Sequence, residues 1–460
     1  MNALEYHLRT RHFPNRFAKS LGYLDWENQP SPYKSYFEAE QIPLKKITPP
    51  KKTYEKLYLK NDHNPINLET IALMLRYSLA INAKKVYGPS SWYVRVNPSS
   101  GNLHPEETYI IFKNGVYHFN VKNFSLELLA KSDKNIIENG FLIILNSIPL
   151  RESWKYGERA LRYCLLDSGH AIAALRFSTN LLGWNMKKAR IEKEYFLSKF
   201  NFHQNEEEIF EAAFFVFEDK IPDIDLKILK KLEFKTAYSP LAKEKVRWEI
   251  IFESANKLKD ETKSEFIKKD ISFLPSTFDA YEIIDNRRSA LGFKQKYLPK
   301  NDFLDILDKT LHRKIPPFDV EITANLIDFL IFVNRVEGIE SGIYYFNRKK
   351  AKLSLIEKGD FSQSAKFINC VQDLGSDSAF TINMIAPIPT NENYKSIMFE
   401  SGMIGHILYL EAEAKGVRGC GIGCFFDDLI TKEILNDEKK IATYGFSVGV
   451  PLIDERIIKI

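Results

Sequence analysis

The sequence predicts one mixed helix-and-strand domain laid down twice in a single chain. Three recurring segments predict it: a hairpin, a long helix and a closing strand, in the same order, offset by about 227 to 233 residues. A chain of 460 residues also exceeds one ordinary domain and suits two or three.

The hairpin comes first. Gly115-Val116-Tyr117-His118-Phe119-Asn120 returns as Gly342-Ile343-Tyr344-Tyr345-Phe346-Asn347, with Leu126 and Leu353 at matching positions beyond. Alternating aromatics, a polar turn and a second run read as two paired strands. The helix follows. Asp167-Ser168-Gly169 matches Glu400-Ser401-Gly402, and each triplet is expected to open a long amphipathic helix. Gly183 and Gly416 stand equally far beyond, where helix C-caps commonly fall. The closing strand is FEAAFFVFED at 210–219 and IATYGFSVGVP at 441–451. The repeat implies a pseudo-dimer: residues 1–222, a charged, mainly helical linker over 223–277, and residues 278–460.

Composition narrows the function classes. A formal charge of +5 spread over the chain, without a Lys/Arg block, does not indicate nucleic acid. No apolar run reaches the roughly 18 residues a membrane helix needs. The start, MNALEYHLRTRHF, is charged and does not read as a signal peptide. Cys164, Cys370, Cys420 and Cys424 form no small-domain framework, so a reducing compartment and a cytoplasmic protein are expected. Cys420 and Cys424 lack a second pair to complete a zinc site, and no metal is expected. They read as packing rather than as a redox disulfide.

The two halves keep different chemistry. The first holds Arg95-Val96-Asn97-Pro98-Ser99-Ser100-Gly101-Asn102-Leu103-His104-Pro105-Glu106, a turn rich in hydroxyl, amide and backbone donors. On spacing alone it is either a surface loop or a polar lining for a flat heterocycle. The second holds Asn286-Arg287-Arg288-Ser289, either solvated arginines or a phosphate grip, since guanidinium binds phosphate bidentately. It also holds Gly419-Cys420-Gly421-Ile422-Gly423-Cys424, whose alternate glycines admit a closely approaching flat ligand. A helix precedes this stretch, which excludes a Rossmann turn. Gly445, Gly449 and Arg456 offer a further approach and a further phosphate contact.

With these motifs in place, the chain resembles the nitroreductase superfamily, nearest its SagB/ThcOx-type dehydrogenases. The resembling segments are RVNPSSGNLHPEE, ESWKYGERALRYCLLDSGHAIAAL, NRRSALGF, GCGIGCFFDD and YGFSVGVP. The resemblance implies an α+β fold, here two nitroreductase-like domains fused as an intrachain pseudo-dimer. It implies flavin mononucleotide (FMN) at the interface, with NAD(P)H as a possible reductant. The phosphate would fall to Arg287, Arg288, Ser289 and Arg456. The ring would fall to Arg95, Pro98, Ser99, Ser100 and Asn102, with backbone amides of Gly421, Ile422 and Gly423 near its anionic edge. Lys155-Tyr156 resembles the Lys-Tyr pair of azoline-oxidising members, in which a lysine of lowered pKa removes a proton; the same residues also suit a structural tie. His170 and His406 read as packed histidines, and His104 as lining the site.

Each half lacks what the other keeps. PPFDVEIT at 316–323 stands where a second Pro-Ser-Ser loop would be, and Gly183-Trp184-Asn185-Met186-Lys187 replaces the glycine stretch. One composite flavin site per chain is therefore expected, in a monomer that acts on a small molecule or a modified peptide. The competing reading is a non-catalytic flavin-binding or degenerate scaffold.

Overall fold

The computed structural model describes residues 1–191 and 208–460. In the first part of the chain the strands are β1 (Glu40–Pro43), β2 (Ile81–Tyr87), β3 (Ser90–Arg95), β4 (Glu106–Phe112), β5 (Gly115–Asn120), β6 (Ser125–Lys131), β7 (Ile137–Glu138), β8 (Phe141–Ser147), β9 (Asn185–Lys188), β10 (Ile209–Phe217) and β11 (Asp223–Ile224). In the second they are β12 (Asp328–Val333), β13 (Gly342–Asn347), β14 (Lys352–Lys358), β15 (Phe380–Pro387), β16 (Arg418–Ile422), β17 (Lys440–Gly449) and β18 (Ile457–Lys459).

Two antiparallel sheets carry the fold, in the orders β1-β6-β5-β4-β8-β10-β9 and β14-β13-β12-β15-β17-β16. Set β1 aside and the orders match place for place. Both expected hairpins form, Gly115 pairing with Lys131 and Gly342 with Lys358. Each carries the same register shift, after Val116 and after Ile343. A bulge at one place in both copies supports a duplicated unit, because bulges are built-in features of a sheet.

The two long helices, Ala160–Leu181 and Tyr394–Ala414, form the centre. They differ from the sequence expectation in two ways. They start well before the Asp-Ser-Gly and Glu-Ser-Gly triplets, which therefore sit in mid-helix. They are also not amphipathic, since every residue of both is buried. The reason is packing on all sides: each helix crosses the other, and each also packs on its own sheet. The triplet glycines mark the crossing. A Cβ on Gly169 would strike the Phe399 carbonyl and stand 2.9 Å from Gly402 Cα. A Cβ on Gly402 would strike the Leu166 carbonyl in return.

The expected C-caps are present. Gly183 and Gly416 have φ of 78° and 68°. At each end the next residue closes a Schellman motif, Trp184 N–H to Thr179 O at 2.9 Å and Val417 N–H to Ala412 O at 3.0 Å.

The linker is less helical than expected, with short helices at Leu226–Lys231 and Glu249–Lys257. Its backbone donors go outward instead: Lys235 N–H to Leu129 O at 2.9 Å, Lys259 N–H to Asn391 O at 2.8 Å and Ile267 N–H to His312 O at 3.0 Å. A segment whose amides pair with neighbours cannot also pair them along a helix. The chain ends interlock the halves. His12 bridges to Phe426, and β18 pairs with β2 in a small sheet, β18-β2-β3. Among the described residues no helix is long and apolar enough to cross a membrane.

Candidate functional site

The loop between β3 and β4 is shaped by its own polar groups. Ser99 Oγ accepts the His104 N–H at 2.8 Å, and Gly101 and Asn102 both have φ of 60°. The loop is moored to the first long helix through Asp167. That carboxylate accepts the Ser100 N–H at 2.9 Å and the Ser100 hydroxyl at 3.0 Å.

Facing the loop stands β16, which the sequence presents as a glycine-rich loop. Its alternate glycines leave room for rings of the protein itself. A Cβ on Gly419 would enter the Phe446 ring, one on Gly421 the Tyr444 hydroxyl and one on Gly423 the Tyr163 ring. The Gly421 N–H donates to Tyr409 Oη at 2.9 Å, and that phenol shares a hydrogen bond with Ser289 Oγ at 2.8 Å. The amide expected to face a ligand is thus already engaged at Gly421.

Between these walls lies a cavity of about 270 Å³, slightly under the roughly 300–1,000 Å³ common for small-molecule sites. Pro98, Ser99, Ser100, Gly101, Tyr156, Tyr163, Asp167 and His170 line it from the first half. Ser289, Gln372, Tyr409, Cys420, Gly421, Ile422, Gly423, Cys424 and Tyr444 line it from the second.

Not every expected residue is here. Asn102 spends its amide on the Tyr93 carbonyl at 2.9 Å and on His104 at 3.1 Å, and neither it nor His104 walls the cavity. Lys155 is exposed, its ammonium 5.3 Å from the Tyr156 ring centroid. The enclosed setting expected of a desolvated base is absent there. Arg456 forms a bidentate pair with Asp454, at 2.6 and 2.8 Å, beside the small sheet and away from the cavity.

Arg287 and Arg288 are buried and reach across to the first half rather than into the cavity. Arg287 Nε donates to Val96 O at 2.7 Å and its Nη2 to Arg95 O at 3.1 Å; Arg288 Nη2 donates to Asn82 O at 3.2 Å. Arg95, also buried, donates to Pro32 O at 2.6 Å. The hydrogen-bond partners of all three among the described residues are backbone carbonyls. Arg95 Nε, Arg287 Nη1 and Arg288 Nε have none. Burial lowers all three guanidinium pKa values, that of Arg288 to about 9, with Arg287 adding to the effect. Buried cations without a paired carboxylate are costly, and their orphaned donors fit a phosphate.

Sequence reasoning missed the acid side of the cavity. Burial pushes the Asp167 carboxyl up to about 7, against the hydrogen bonds from Ser99 and Ser100. Behind it lie Glu106 and Glu152, both buried; among the described residues no other residue hydrogen-bonds to either carboxylate. Burial and the nearby Asp167 push both well above the usual carboxylate range. Burial therefore favours the protonated form of Glu106, Glu152 and Asp167. His170 both packs and lines the cavity, its Nε2 3.1 Å from Tyr444 Oη, and burial keeps the ring neutral. The only sequence signal for Asp167 was its place in the repeat.

As expected, Cys420 and Cys424 are not bonded to each other; the bridge to a distant cysteine was not expected. Cys424 is disulfide-bonded to Cys370, while Cys420 and Cys164 are free.

The duplicated sheet order makes β9 the counterpart of β16. The residues after it, Ala189–Ile191, together with Glu211, Glu321 and Lys395 border a second cavity of about 740 Å³. There Lys395 pairs with Glu211 at 3.1 Å, and Glu321 stands on the loop that replaces Pro-Ser-Ser.

No family model and no curated protein matches the sequence. Solved structures do. A crystal structure of a candidate nitroreductase from Anabaena variabilis ATCC 29413 superposes with a TM-score of 0.73 at 20% identity, over 97% of this chain and 99% of that one. A candidate nitroreductase from Ralstonia eutropha JMP134 gives a TM-score of 0.31 at 11% identity, over 44% of this chain and 97% of that one. A nitroreductase family protein from Clostridium novyi NT gives 0.28 at 16% identity, over 37% and 84%. The full-length likeness shows the fold: α+β, with two nitroreductase-like domains in one chain.

Proposed function

We propose that the protein is an FMN-dependent oxidoreductase with one composite flavin site per chain, of SagB/ThcOx type. The observation that carries this reading is the cavity walled by Pro98–Gly101 and Asp167 of one half and Ser289 and Gly421–Gly423 of the other, with the buried Arg287 guanidinium 5.0 Å from the ring of Tyr409, which also lines it. Arg95, Arg287 and Arg288 would hold the phosphate through their orphaned donors, which is the charge-assisted contact phosphate favours. Ser99, Ser100 and the β16 backbone would border the ring. The bound flavin would supply the hydride and electron-pair chemistry. The chain's own part is to exclude water with Tyr156, Tyr163, Tyr409 and Tyr444 and to keep a proton at Asp167 Oδ. Tyr156, not Lys155, is the member of the Lys-Tyr pair that borders the cavity. NAD(P)H is the proposed reductant, and a small molecule or a modified peptide the proposed substrate. Both halves of the site are in one chain, so the protein acts as a monomer.

Among the described residues that line it, the larger cavity has neither the serine loop nor the paired arginines, which supports a single flavin. Absorbance of the purified protein with FMN quantified per chain is expected to give about one flavin, bleached by NADH or NADPH under anaerobic conditions. A ratio near two would refute the single composite site. A chain that takes up no FMN would refute the flavin reading.

A further inference from the structure

Cys424 follows Gly423 on the cavity wall, and its sulfur is bonded to Cys370. The turn carrying Cys370 is pinned against that wall. Gln372 lines the cavity and donates to Asn369 O at 2.8 Å and to Cys424 O at 3.4 Å; Phe426 N–H donates to Ile368 O at 2.8 Å. Within the turn Cys370 and Val371 have φ of 55° and 59°. Left-handed backbone is disfavoured at both, most at the branched Val371, and such strain gathers at working sites. Val371 is 57% exposed. Of the two bridged residues, Cys424 lines the cavity and Cys370, partly exposed, does not. Cys420 is a different case: burial pushes its thiol up to about 11, away from exchange chemistry.

We propose that Cys370–Cys424 is a redox-active cystine that accepts two electrons inside the cavity and delivers them to a disulfide-bearing substrate outside it. The inference rests on the flavin reading of that cavity. In the first step the S–S bond breaks. It takes two electrons from reduced flavin and two protons, yielding two thiols and oxidised flavin, which a nicotinamide dinucleotide reduces again. In the second step the Cys370 thiolate attacks the substrate disulfide. One substrate thiol leaves and a mixed disulfide remains. Cys424 then attacks the Cys370 sulfur, the second substrate thiol leaves, and the bridge is restored. The net change is one substrate disulfide reduced to two thiols per nicotinamide oxidised, by ordinary thiol–disulfide exchange.

The test uses the full chain loaded with FMN. Anaerobic illumination with EDTA reduces bound flavin without added thiol. Alkylation under denaturing conditions and peptide mass spectrometry then count the free cysteines. The expected result is a rise from two thiols per chain, Cys164 and Cys420, to four, with new label on Cys370 and Cys424. In the C370S/C424S double variant the count stays at two while the flavin still bleaches. A wild-type chain whose flavin bleaches while the bridge stays intact overturns the proposal and leaves the flavin reading standing. A chain that shows no flavin band to bleach overturns both.

Discussion

Replacing Asp427 with Asn is expected to destabilise the protein by about 3–5 kcal/mol, the range for removing one partner of a buried ion pair. Asp427 is buried and accepts from Arg162 at 2.6 Å, from Arg159 at 3.1 Å and from the His12 N–H at 3.1 Å. The two arginines start the first long helix and also bind the chain's beginning, Arg159 to Thr10 O at 2.6 Å and Arg162 to Thr10 Oγ1 at 3.0 Å. One carboxylate therefore ties the N-terminal segment, the first half and the second half. Asparagine keeps the shape and leaves two guanidinium groups buried without their counter-charge. Chemical denaturation followed by circular dichroism measures the effect. A cost under about 1 kcal/mol, the level of an exposed pair, would contradict it. The pH dependence has a definite sign. Burial would raise the Asp427 carboxyl, but Arg159 and Arg162 override it and hold it well below the usual range. A depressed carboxyl contributes stability that is present above its unfolded value near 3.9 and is lost as pH falls below that. The gap between wild type and the Asn variant should narrow as pH drops below about 4.

Gly402→Ala is the second large effect. The added methyl meets the Leu166 carbonyl and lies 2.9 Å from Gly169 Cα, so both obstacles are backbone of the opposing helix. Neither can rotate away, as a side chain would. Overpacking commonly costs 1–3 kcal/mol, and a backbone obstacle at a central crossing places this change at about 3 kcal/mol. Forcing the helices apart also shifts Asp167 and Tyr409, which stand on opposite helices and opposite cavity walls. The expected outcome is a lower denaturation midpoint together with lower FMN retention. A variant as stable as wild type would show that the helices do not cross at these glycines.

The fold was legible where a feature occurred twice. The hairpins, the helix ends at Gly183 and Gly416 and the closing strands emerged because the same pattern recurred at nearly constant spacing. Features present once were harder to read. The β16 stretch looked like a loop because glycine weakens a strand; the rings of Phe446, Tyr444 and Tyr163 that require those glycines come from distant sequence. Asp167 looked like a helix cap, since Asp-Ser suits that position. Its partner is Ser100 on another element, a contact no local pattern encodes. The Cys370–Cys424 pair spans 54 residues with nothing in the spacing to join them. The candidate site was legible as two sets of residues, and their meeting followed from the repeat. Lys155, Asn102 and Arg456 do not line the cavity, because type and spacing do not say which way a side chain turns.

The central claim is that residues of both halves enclose a single isoalloxazine. A crystal structure of the protein grown with FMN tests it most directly. The account predicts ring density between Ser99–Gly101 and Gly421–Gly423, with the phosphate toward Arg287 and Arg288. Ring density in the larger cavity, between Lys188 and Glu321, would contradict it.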